Sequence, residues 1–289
     1  MSKCSCCGEE VGSVKVCPIC GTAIVEKKAP APVTEPTAAE KKPAESQNIL
    51  QQIEEAKIKL IENCAKSVTK MIVKGEKFTS TGTGWCGYKN LIITNAHVVE
   101  DEDEKSYADN IECEFSDKLN LGARQRIKMK TLYYSREEDI AILTPDRGEI
   151  PKEVNILHIS GEPTKQGELV FTIGNPLHYK FTYTEGAVAN PDYKSAVTKG
   201  KFNNLQTTLT LNSGNSGGPV FNANGDVVGM ATFSELKKET EQTLDPVAFL
   251  AGQNPVTEKT SYKEILGYGF CVKSEAILAA ISSIQSKLK

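Results

Sequence analysis

Short apolar runs alternate with polar turns along most of this chain, and such runs indicate buried β-strands. They cover residues 91–94, 140–143, 170–173 and 227–233, and a further run, residues 267–272, lies near the C-terminus. The pattern predicts a domain that is built mainly of strands.

Two segments have helical spacing instead. In the first, apolar residues follow Ser46, a suitable N-cap, at intervals of four, three and four. They are Ile49, Ile53, Ala56 and Leu60. The segment is too short for a long coiled coil, so a helix that packs on the domain is favoured over an oligomerisation helix. Residues 274–288 predict a closing helix whose apolar face holds Ile277, Ile281, Ile284 and Leu288.

The composition limits the class of protein. A chain of 289 residues accommodates one large domain and a small appendage, and 39% hydrophobic with 25% charged residues is typical of soluble globular proteins. No apolar run approaches the roughly 20 residues of a membrane helix. The first residues lack the apolar core of a signal peptide. We therefore expect a cytoplasmic protein without membrane contact. A net charge of −3 argues against nucleic-acid binding, which favours a basic face.

Five of the nine cysteines fall within the first twenty residues. Cys4 and Cys7 belong to one C-x-x-C-G turn, and Cys17 and Cys20 belong to a second turn that follows after nine residues. Each turn can direct two thiolates to one side, so together they predict a closed, structural zinc site. Cys6 could replace one of the first two ligands. A redox C-x-x-C pair is excluded because no thioredoxin-like βαβ unit surrounds either turn.

These features predict three regions. Residues 1–26 resemble the short zinc ribbons of prokaryotic proteins and are better suited to docking a protein partner than to binding nucleic acid. Residues 27–46 are rich in Pro, Ala, Glu and Lys and predict a disordered tether. Residues 47–289 hold the large domain. The remaining cysteines predict small buried side chains, in keeping with a reducing compartment: Cys64, Cys86, Cys113 and Cys271.

The segment Gly214-Asn215-Ser216-Gly217-Gly218-Pro219 places a serine among three glycines. Serine is a poor nucleophile until a base takes its proton and nearby donors stabilise the oxyanion. Gly214 would let its own N–H and that of Ser216 converge on one point, and the later glycines leave room for a substrate carbonyl. The segment indicates either a nucleophile in a tight turn or an ordinary hairpin turn.

A serine nucleophile needs a base, and three histidines are available. His97 ends an apolar run, which would hold it rigidly at the edge of a core, whereas His158 and His178 predict structural residues. Most acidic residues lie in charged loops, but Asp139 leads directly into an apolar run and can be buried against a partner. The order His97, Asp139, Ser216 is that of a chymotrypsin-type triad.

These motifs resemble the trypsin-like protease domain of the HtrA/Deg family over residues 62–283. The matching segments are the histidine motif at 94–99, the aspartate motif at 139–143, the connection between barrels at 170–176, the serine motif at 205–219 and the closing strand at 267–272. The resemblance implies an all-β, chymotrypsin-like fold of two six-stranded barrels with a C-terminal helix. It also implies a serine endopeptidase that forms trimers.

The sequence departs from the family in several places. The family usually has an acid near Thr208 and a proline at the position of Ser213, which leaves the geometry before the serine turn open. We expect no PDZ domain of the kind that typically follows the protease domain in this family, so recognition of peptide tails is not carried over. Asn215 stands where secreted digestive relatives carry an aspartate that binds a newly cut N-terminus, and we therefore expect no activation by N-terminal trimming. Val98 stands where many secreted proteases of this fold have a disulfide cysteine, which is consistent with a reducing compartment.

The resemblance assigns a role to each candidate residue. Ser216 attacks the substrate, His97 acts as base and then as acid, and Asp139 orients His97. The main-chain N–H groups of Gly214 and Ser216 hold the oxyanion. The expected specificity pocket contains no acid, which favours cleavage after small or medium apolar residues. Its residues are Thr210, Leu211, Asn212, Ala231 and Thr232.

We therefore expect a serine endopeptidase that cleaves unfolded or flexible proteins and needs no cofactor for catalysis. Residues 234–266 predict an exposed insertion beside the pocket, either a lid or a surface elaboration. The alternative function is an inactive protease-fold adaptor that binds partners through the zinc ribbon. The complete triad argues against this alternative.

Overall fold

A computed structural model describes most of the chain. The described residues are 2–3, 10–11, 38–75, 78–101, 107–177, 179–194, 202–244 and 256–285. The expected zinc ligands Cys4, Cys7, Cys17 and Cys20, and also His178, lie outside them. Near the N-terminus, strands β1 (Ser2–Lys3) and β2 (Glu10–Val11) pair antiparallel. The chain divides into two units, residues 1–53 and 54–289, and the second contains all the strands that follow.

Six strands form a first closed barrel, in the order β3-β4-β5-β8-β7-β6 with antiparallel neighbours. Their bounds are Val68–Lys74 (β3), Thr79–Tyr88 (β4), Leu91–Thr94 (β5), Ile111–Phe115 (β6), Arg126–Ser135 (β7) and Ile140–Pro145 (β8). Short 3₁₀ turns at Asp117–Leu119 and Gly122–Gln125 connect β6 to β7. Apolar side chains from all six strands fill the interior of this barrel.

Six further strands form a second closed barrel, in the order β10-β11-β14-β13-β12-β9. They span Leu169–Gly174 (β9), Thr182–Tyr193 (β10), Asn204–Thr207 (β11), Pro219–Asn222 (β12), Val227–Leu244 (β13) and Val256–Lys273 (β14). The two barrels confirm the all-β, chymotrypsin-like fold expected from the sequence. The apolar runs at 91–94, 140–143, 170–173 and 227–233 all lie in barrel strands, because each strand turns apolar residues into a barrel core.

A separate apolar cluster joins the barrels to the closing helix. Helix α2 spans Ser274–Ile284 and buries Ile277, Ile281 and Ile284 against residues of both barrels. The predicted apolar face is therefore present, and Leu288 lies beyond the described residues. This cluster holds the two barrels together on the side of the helix.

Helix α1 is longer than expected, since it spans Ala38–Ala65 and so begins within the segment predicted to be a tether. Near its end, Leu60 and Cys64 pack against the cluster between the barrels. Ile49 and Ile53, which share the predicted stripe with Leu60, are exposed. No helix in the described ranges is both long and apolar enough to cross a membrane.

The insertion at residues 234–266 has regular structure in its described part. Leu236–Leu244 pairs antiparallel with Val256–Glu264, so the insertion continues strands β13 and β14 beyond the barrel as a two-stranded ribbon. Strand alternation is hard to recognise in this segment because both of its strands are rich in polar residues.

Candidate active site

Two neighbouring strands of the first barrel bring His97 and Asp139 to the same end. Strand β5 ends at Thr94, three residues before His97, and β8 begins immediately after Asp139. Thr94 pairs with Ala141 in the antiparallel register, so the end of one strand lies beside the start of the other. The sequence predicted both residues as members of a triad, and the register explains why they meet.

The imidazole of His97 faces the carboxylate of Asp139. Its Nδ1 lies 2.9 Å from Oδ1 and 3.0 Å from Oδ2, and the main-chain N–H of His97 donates to Oδ1 at 3.1 Å. Asp139 has a left-handed backbone with φ of 54°, and its carbonyl accepts from Asn95 Nδ2 at 2.9 Å. Because Nδ1 faces Asp139, the other ring nitrogen, Nε2, is left to act on a nucleophile.

Opposing effects set the basicity of His97. Burial of the ring lowers its pKa, but the hydrogen bond and negative charge of Asp139, with the charge of Glu100, outweigh that effect. The pKa of His97 therefore lies above its ordinary value. The raised pKa means that the imidazole is a stronger base and that its surroundings stabilise the imidazolium that forms when it accepts a proton.

Thr232 is a site residue that the sequence analysis assigned to a different role. Its hydroxyl donates to Asp139 Oδ2, a bond between the two barrels. The carboxylate is thus held by His97 on one side and by Thr232 on the other. The sequence placed Thr232 beside the site, in the pocket wall, but the period of a strand does not reveal which polar neighbour a side chain contacts.

Ser216 lies in a tight turn directly before strand β12. The turn has left-handed glycines on both sides, with φ of 99° at Gly214 and 83° at Gly217. A Cβ at Gly214 would collide with the carbonyl oxygen of Asn175, and one at Gly217 would collide with that of Thr83. Both positions therefore require glycine for steric as well as conformational reasons.

The nucleophile turn also leaves two donors available. The N–H groups of Asn215, Gly217 and Gly218 bond to main-chain carbonyls at 2.8–2.9 Å. Those of Gly214 and Ser216 have no acceptor among the described residues. The carbonyl of Ser213 accepts from Leu177 N–H at 2.7 Å, so the planar peptide directs the Gly214 N–H to the opposite side. These two N–H groups are the ones that the sequence predicted for an oxyanion hole.

The Ser216 hydroxyl donates to the carbonyl of Thr232 at 2.9 Å. In the described part of the chain it has no hydrogen bond to His97. The serine nevertheless reaches the same residue whose side chain holds Asp139, so Thr232 connects the nucleophile turn to the His97–Asp139 pair. A rotation of the serine side chain is needed before His97 can take its proton.

The residues predicted for the specificity pocket are spread over different environments. Leu211 and Ala231 belong to the core of the second barrel, whereas Thr210 and Asn212 are exposed. Thr232 contacts Asp139, as described above. The uncharged pocket wall and its part in substrate preference stay a prediction.

His158 has an acidic partner as well. Its Nδ1 lies 3.0 Å from Asp226 Oδ1, and the neighbouring Ile159 forms an isolated parallel bridge with Val227. The four described cysteines are buried and unpaired, as predicted. Burial raises the pKa of the Cys64 thiol to about 11 and those of Cys86, Cys113 and Cys271 to about 12.

Comparison with known proteins extends these observations. The chain is 31% identical over 153 residues to a DegP-like periplasmic serine endoprotease of Hahella chejuensis, which covers 52% of this chain and 29% of the relative. The chain thus spans less than a third of that relative's length. Relatives of this kind support the expected resemblance to HtrA/Deg proteases.

Solved structures support the fold. The serine endoprotease of Yersinia pestis superposes with a TM-score of 0.55 at 19% identity, over 79% of this chain and 66% of that one. An inactive form of Rv3671c from M. tuberculosis H37Rv gives a TM-score of 0.54 at 18% identity, over 78% of this chain and 90% of that one.

The expected cytoplasmic location is contradicted by the relatives, six of which are named probable periplasmic serine endoproteases. The prediction rested on the missing apolar core of a signal peptide in the first residues, and the four buried, unpaired cysteines do not support it either. Buried thiols with raised pKa values are unreactive, so they persist without disulfides in an oxidising compartment too.

The family model for trypsin-like peptidase domains matches residues 82–230, just over half of the chain. The matched segment contains His97, Asp139 and Ser216. Together with the double-barrel fold, this match shows that the chain belongs to the family of trypsin-like peptidase domains.

Proposed function

We propose that this chain is a serine endopeptidase with His97, Asp139 and Ser216 as its catalytic triad. The observation that carries the proposal is the meeting of the two barrels at Thr232. The Thr232 hydroxyl bonds to Asp139, and its carbonyl bonds to the Ser216 hydroxyl. The base, its carboxylate partner and the candidate nucleophile therefore surround one residue, with two free N–H donors beside them.

The reaction begins with a change in one hydrogen bond. The Ser216 hydroxyl turns from the Thr232 carbonyl to His97 Nε2, which accepts its proton as Oγ attacks the substrate carbonyl carbon. The N–H groups of Gly214 and Ser216 stabilise the resulting oxyanion. Asp139 stabilises the imidazolium and keeps the Nδ1 proton on its own side.

The second half of the reaction returns the proton. His97 donates it to the leaving amine as the C–N bond breaks, which leaves an acyl group on Ser216 Oγ. A water molecule then attacks this ester, His97 accepts the water proton, and His97 returns it to Oγ as the acid product leaves. No metal or cofactor is required for any of these steps.

Unfolded or flexible proteins are the proposed substrates, with cleavage after small or medium apolar residues. The support is the absence of acidic side chains at positions 210–212 and 231–232, where an acid would favour Lys or Arg. A peptide-library profile tests this preference, and a profile dominated by basic residues at the cleaved position would contradict it.

A substitution at the nucleophile tests the function itself. Ser216→Ala should leave folding intact and lower kcat on a denatured protein substrate by about 10⁶-fold, since triad members act as a unit. Wild-type protein should also react with a fluorophosphonate probe, and the variant should not. Retention of activity within about tenfold would refute the assignment of the nucleophile.

An inactive adaptor is the second candidate, and one observation favours it: the Ser216 hydroxyl contacts Thr232 and not His97. If this arrangement were permanent, the serine would not be activated. The fluorophosphonate probe separates the two functions, because an adaptor would bind protein partners without reacting. Both functions involve contacts with other proteins.

A trimer, which the family resemblance implies, is proposed separately, and light scattering would test it.

The proposed N-terminal ribbon has a structural role. Its support is the pair of C-x-x-C-G turns, which supply four thiolates, Cys4, Cys7, Cys17 and Cys20, for one zinc ion. Metal removal should unfold the ribbon while short peptides are still cleaved at the wild-type rate. Elemental analysis that finds no zinc would refute the metal site.

A further inference from the structure

A buried threonine of the first barrel contacts the nucleophile turn of the second. Thr83 lies in strand β4, where it pairs with Lys70, and it is fully buried. Its main-chain N–H donates to the carbonyl of Ser216 at 2.9 Å, and its hydroxyl donates to the carbonyl of Gly214 at 2.7 Å. One residue thus holds both residues whose N–H groups are the proposed oxyanion donors.

The hydroxyl of Thr83 uses its full hydrogen-bonding capacity. It accepts from the main-chain N–H of Asn175 at 2.9 Å and from Asn175 Nδ2 at 3.1 Å. A threonine hydroxyl has one donor and two acceptor positions. Both Asn175 groups are donors, so the hydroxyl proton must point to the Gly214 carbonyl. Its direction is therefore determined by its surroundings.

Asn175 is itself held between the barrels. Its Nδ2 also donates to the carbonyl of Thr69 at 3.3 Å, and its Oδ1 accepts from Phe181 N–H at 3.2 Å. Two residues further on, Leu177 holds the Ser213 carbonyl. The carbonyls before and after the Gly214 nitrogen are thus both bonded, which prevents the peptide from turning its N–H away from the site.

We propose that Thr83 is a positioning residue that keeps the oxyanion hole in its working geometry from the opposite barrel. The proposal rests on the proposed peptidase function. Without the hydroxyl, the buried Gly214 carbonyl loses its partner and the turn can rearrange to satisfy it. Displacement of the Gly214 N–H by about 1 Å would be costly, since misplacement of that size can lower a rate by about 10²-fold.

Thr83→Val tests the role because it keeps the side-chain shape and removes the hydroxyl. On a short fluorogenic peptide, kcat should fall by about 10- to 100-fold while KM changes by less than about twofold, since the lost donor geometry acts on the transition state. Thr83→Ser keeps the hydroxyl and should stay within about threefold of wild type. Rates are normalised to the folded fraction from circular dichroism.

Thr131→Val is the matched control. The Thr131 hydroxyl in strand β7 is buried and has no hydrogen-bond partner among the described residues, so its removal should leave kcat unchanged. The acid limb of the pH–rate profile should also be unchanged in Thr83→Val, because Thr83 has no hydrogen bond to His97 or Asp139. A purely structural defect would instead lower stability without this selective loss of kcat.

A peptide boronate gives a second measurement. It forms a tetrahedral adduct with Ser216 that needs the oxyanion donors, so Thr83→Val should weaken boronate binding by the same factor as kcat and leave product-peptide binding unchanged.

If Thr83→Val does not fold, Asn175→Ala removes one donor to the Thr83 hydroxyl and should give a smaller, kcat-selective loss. Wild-type kcat in Thr83→Val, or equal losses with boronate and product peptide, would overturn the proposal. A wild-type protein that cleaves nothing and reacts with no probe would instead refute the peptidase function.

Discussion

Two histidine–aspartate pairs lie in the described part of the chain, and their contacts are almost identical in length. Nδ1 to Oδ1 is 2.9 Å in the His97–Asp139 pair and 3.0 Å in the His158–Asp226 pair. Their surroundings differ. The side chains of His97 and Asp139 are 43% and 13% exposed, whereas those of His158 and Asp226 are 75% and 32% exposed.

The partners of the two carboxylates differ as well. Asp139 receives hydrogen bonds from the main chain of His97 and from the Thr232 hydroxyl, in addition to its contact with the imidazole. Thr232 then leads to Ser216. The second pair lies against the turn at residues 222–226, where Asn222 Nδ2 approaches Asp226 at 3.5 Å. A short contact alone therefore does not identify a catalytic pair. The lower exposure of the first pair and the further hydrogen bonds to its carboxylate distinguish it from the second.

The largest expected difference between the pairs is in the response to loss of the carboxylate charge. Asp139→Asn should lower kcat by about 10⁴-fold, because the amide favours the wrong imidazole tautomer and does not stabilise the imidazolium. Asp226→Asn is the matched control, and as a substitution in an exposed pair it should change kcat/KM by less than about twofold. Steady-state kinetics on one peptide substrate measures both variants.

A strong loss of activity in Asp226→Asn would break the comparison. It would show that the exposed pair also takes part in catalysis or supports the site through the turn at 222–226. Near-normal activity in Asp139→Asn would contradict the assignment of the first pair as base and orienting group.

A smaller effect is expected from the hydroxyl that only the first pair receives. Thr232→Val removes the bond to Asp139 and keeps the carbonyl that contacts Ser216. We expect kcat to fall by about tenfold, since a hydrogen bond to a charged group contributes about 1.5–3 kcal/mol and other contacts to Asp139 persist. The variant is compared with Thr131→Val, whose hydroxyl has no partner in the described residues. Equal rates in both variants would show that His97 alone orients the carboxylate.

The smallest effect concerns pH. Because His97 must be neutral to act as base and its pKa is raised, the acid limb of kcat/KM should lie above about 6.5. The raised pKa of His97 also stabilises the folded state at pH values below the pKa of the unfolded chain. This stabilisation is lost as the pH rises through the pKa of the folded state. In Asp139→Asn the hydrogen bond to a carboxylate and the charge of Asp139 no longer raise the pKa of His97, while burial still lowers it, so the limb should move to lower pH.

The Asp226→Asn profile should coincide with that of wild type, since the contacts of Asp226 in the described residues are with His158 and Asn222 and not with His97, Asp139 or Ser216. An acid limb that moved in Asp226→Asn, or stayed in place in Asp139→Asn, would assign the controlling group to the other pair.

Local sequence determined the chemistry of the site and the elements that carry it. A buried strand can be recognised by its apolar run, and the run also places the residues at the strand ends. His97, Asp139 and the strands beside them were predicted for this reason. The glycines around Ser216 are equally local, because their φ values permit little else. The polar ribbon at Leu236–Leu244 and Val256–Glu264 and the early start of helix α1 lack such apolar signals, and they were missed.

Contacts between residues far apart in the chain were decided only by the tertiary structure. Thr232 to Asp139 and Thr83 to Gly214 each join side chains or carbonyls of different barrels. A threonine in a strand has the same local sequence pattern whether its hydroxyl bonds to a catalytic carboxylate or to a buried carbonyl. The pattern is also the same where, as in Thr131, the hydroxyl has no partner among the described residues. The direction of a hydroxyl depends on the groups that the packing of two barrels places around it, and no local period of the sequence encodes that arrangement.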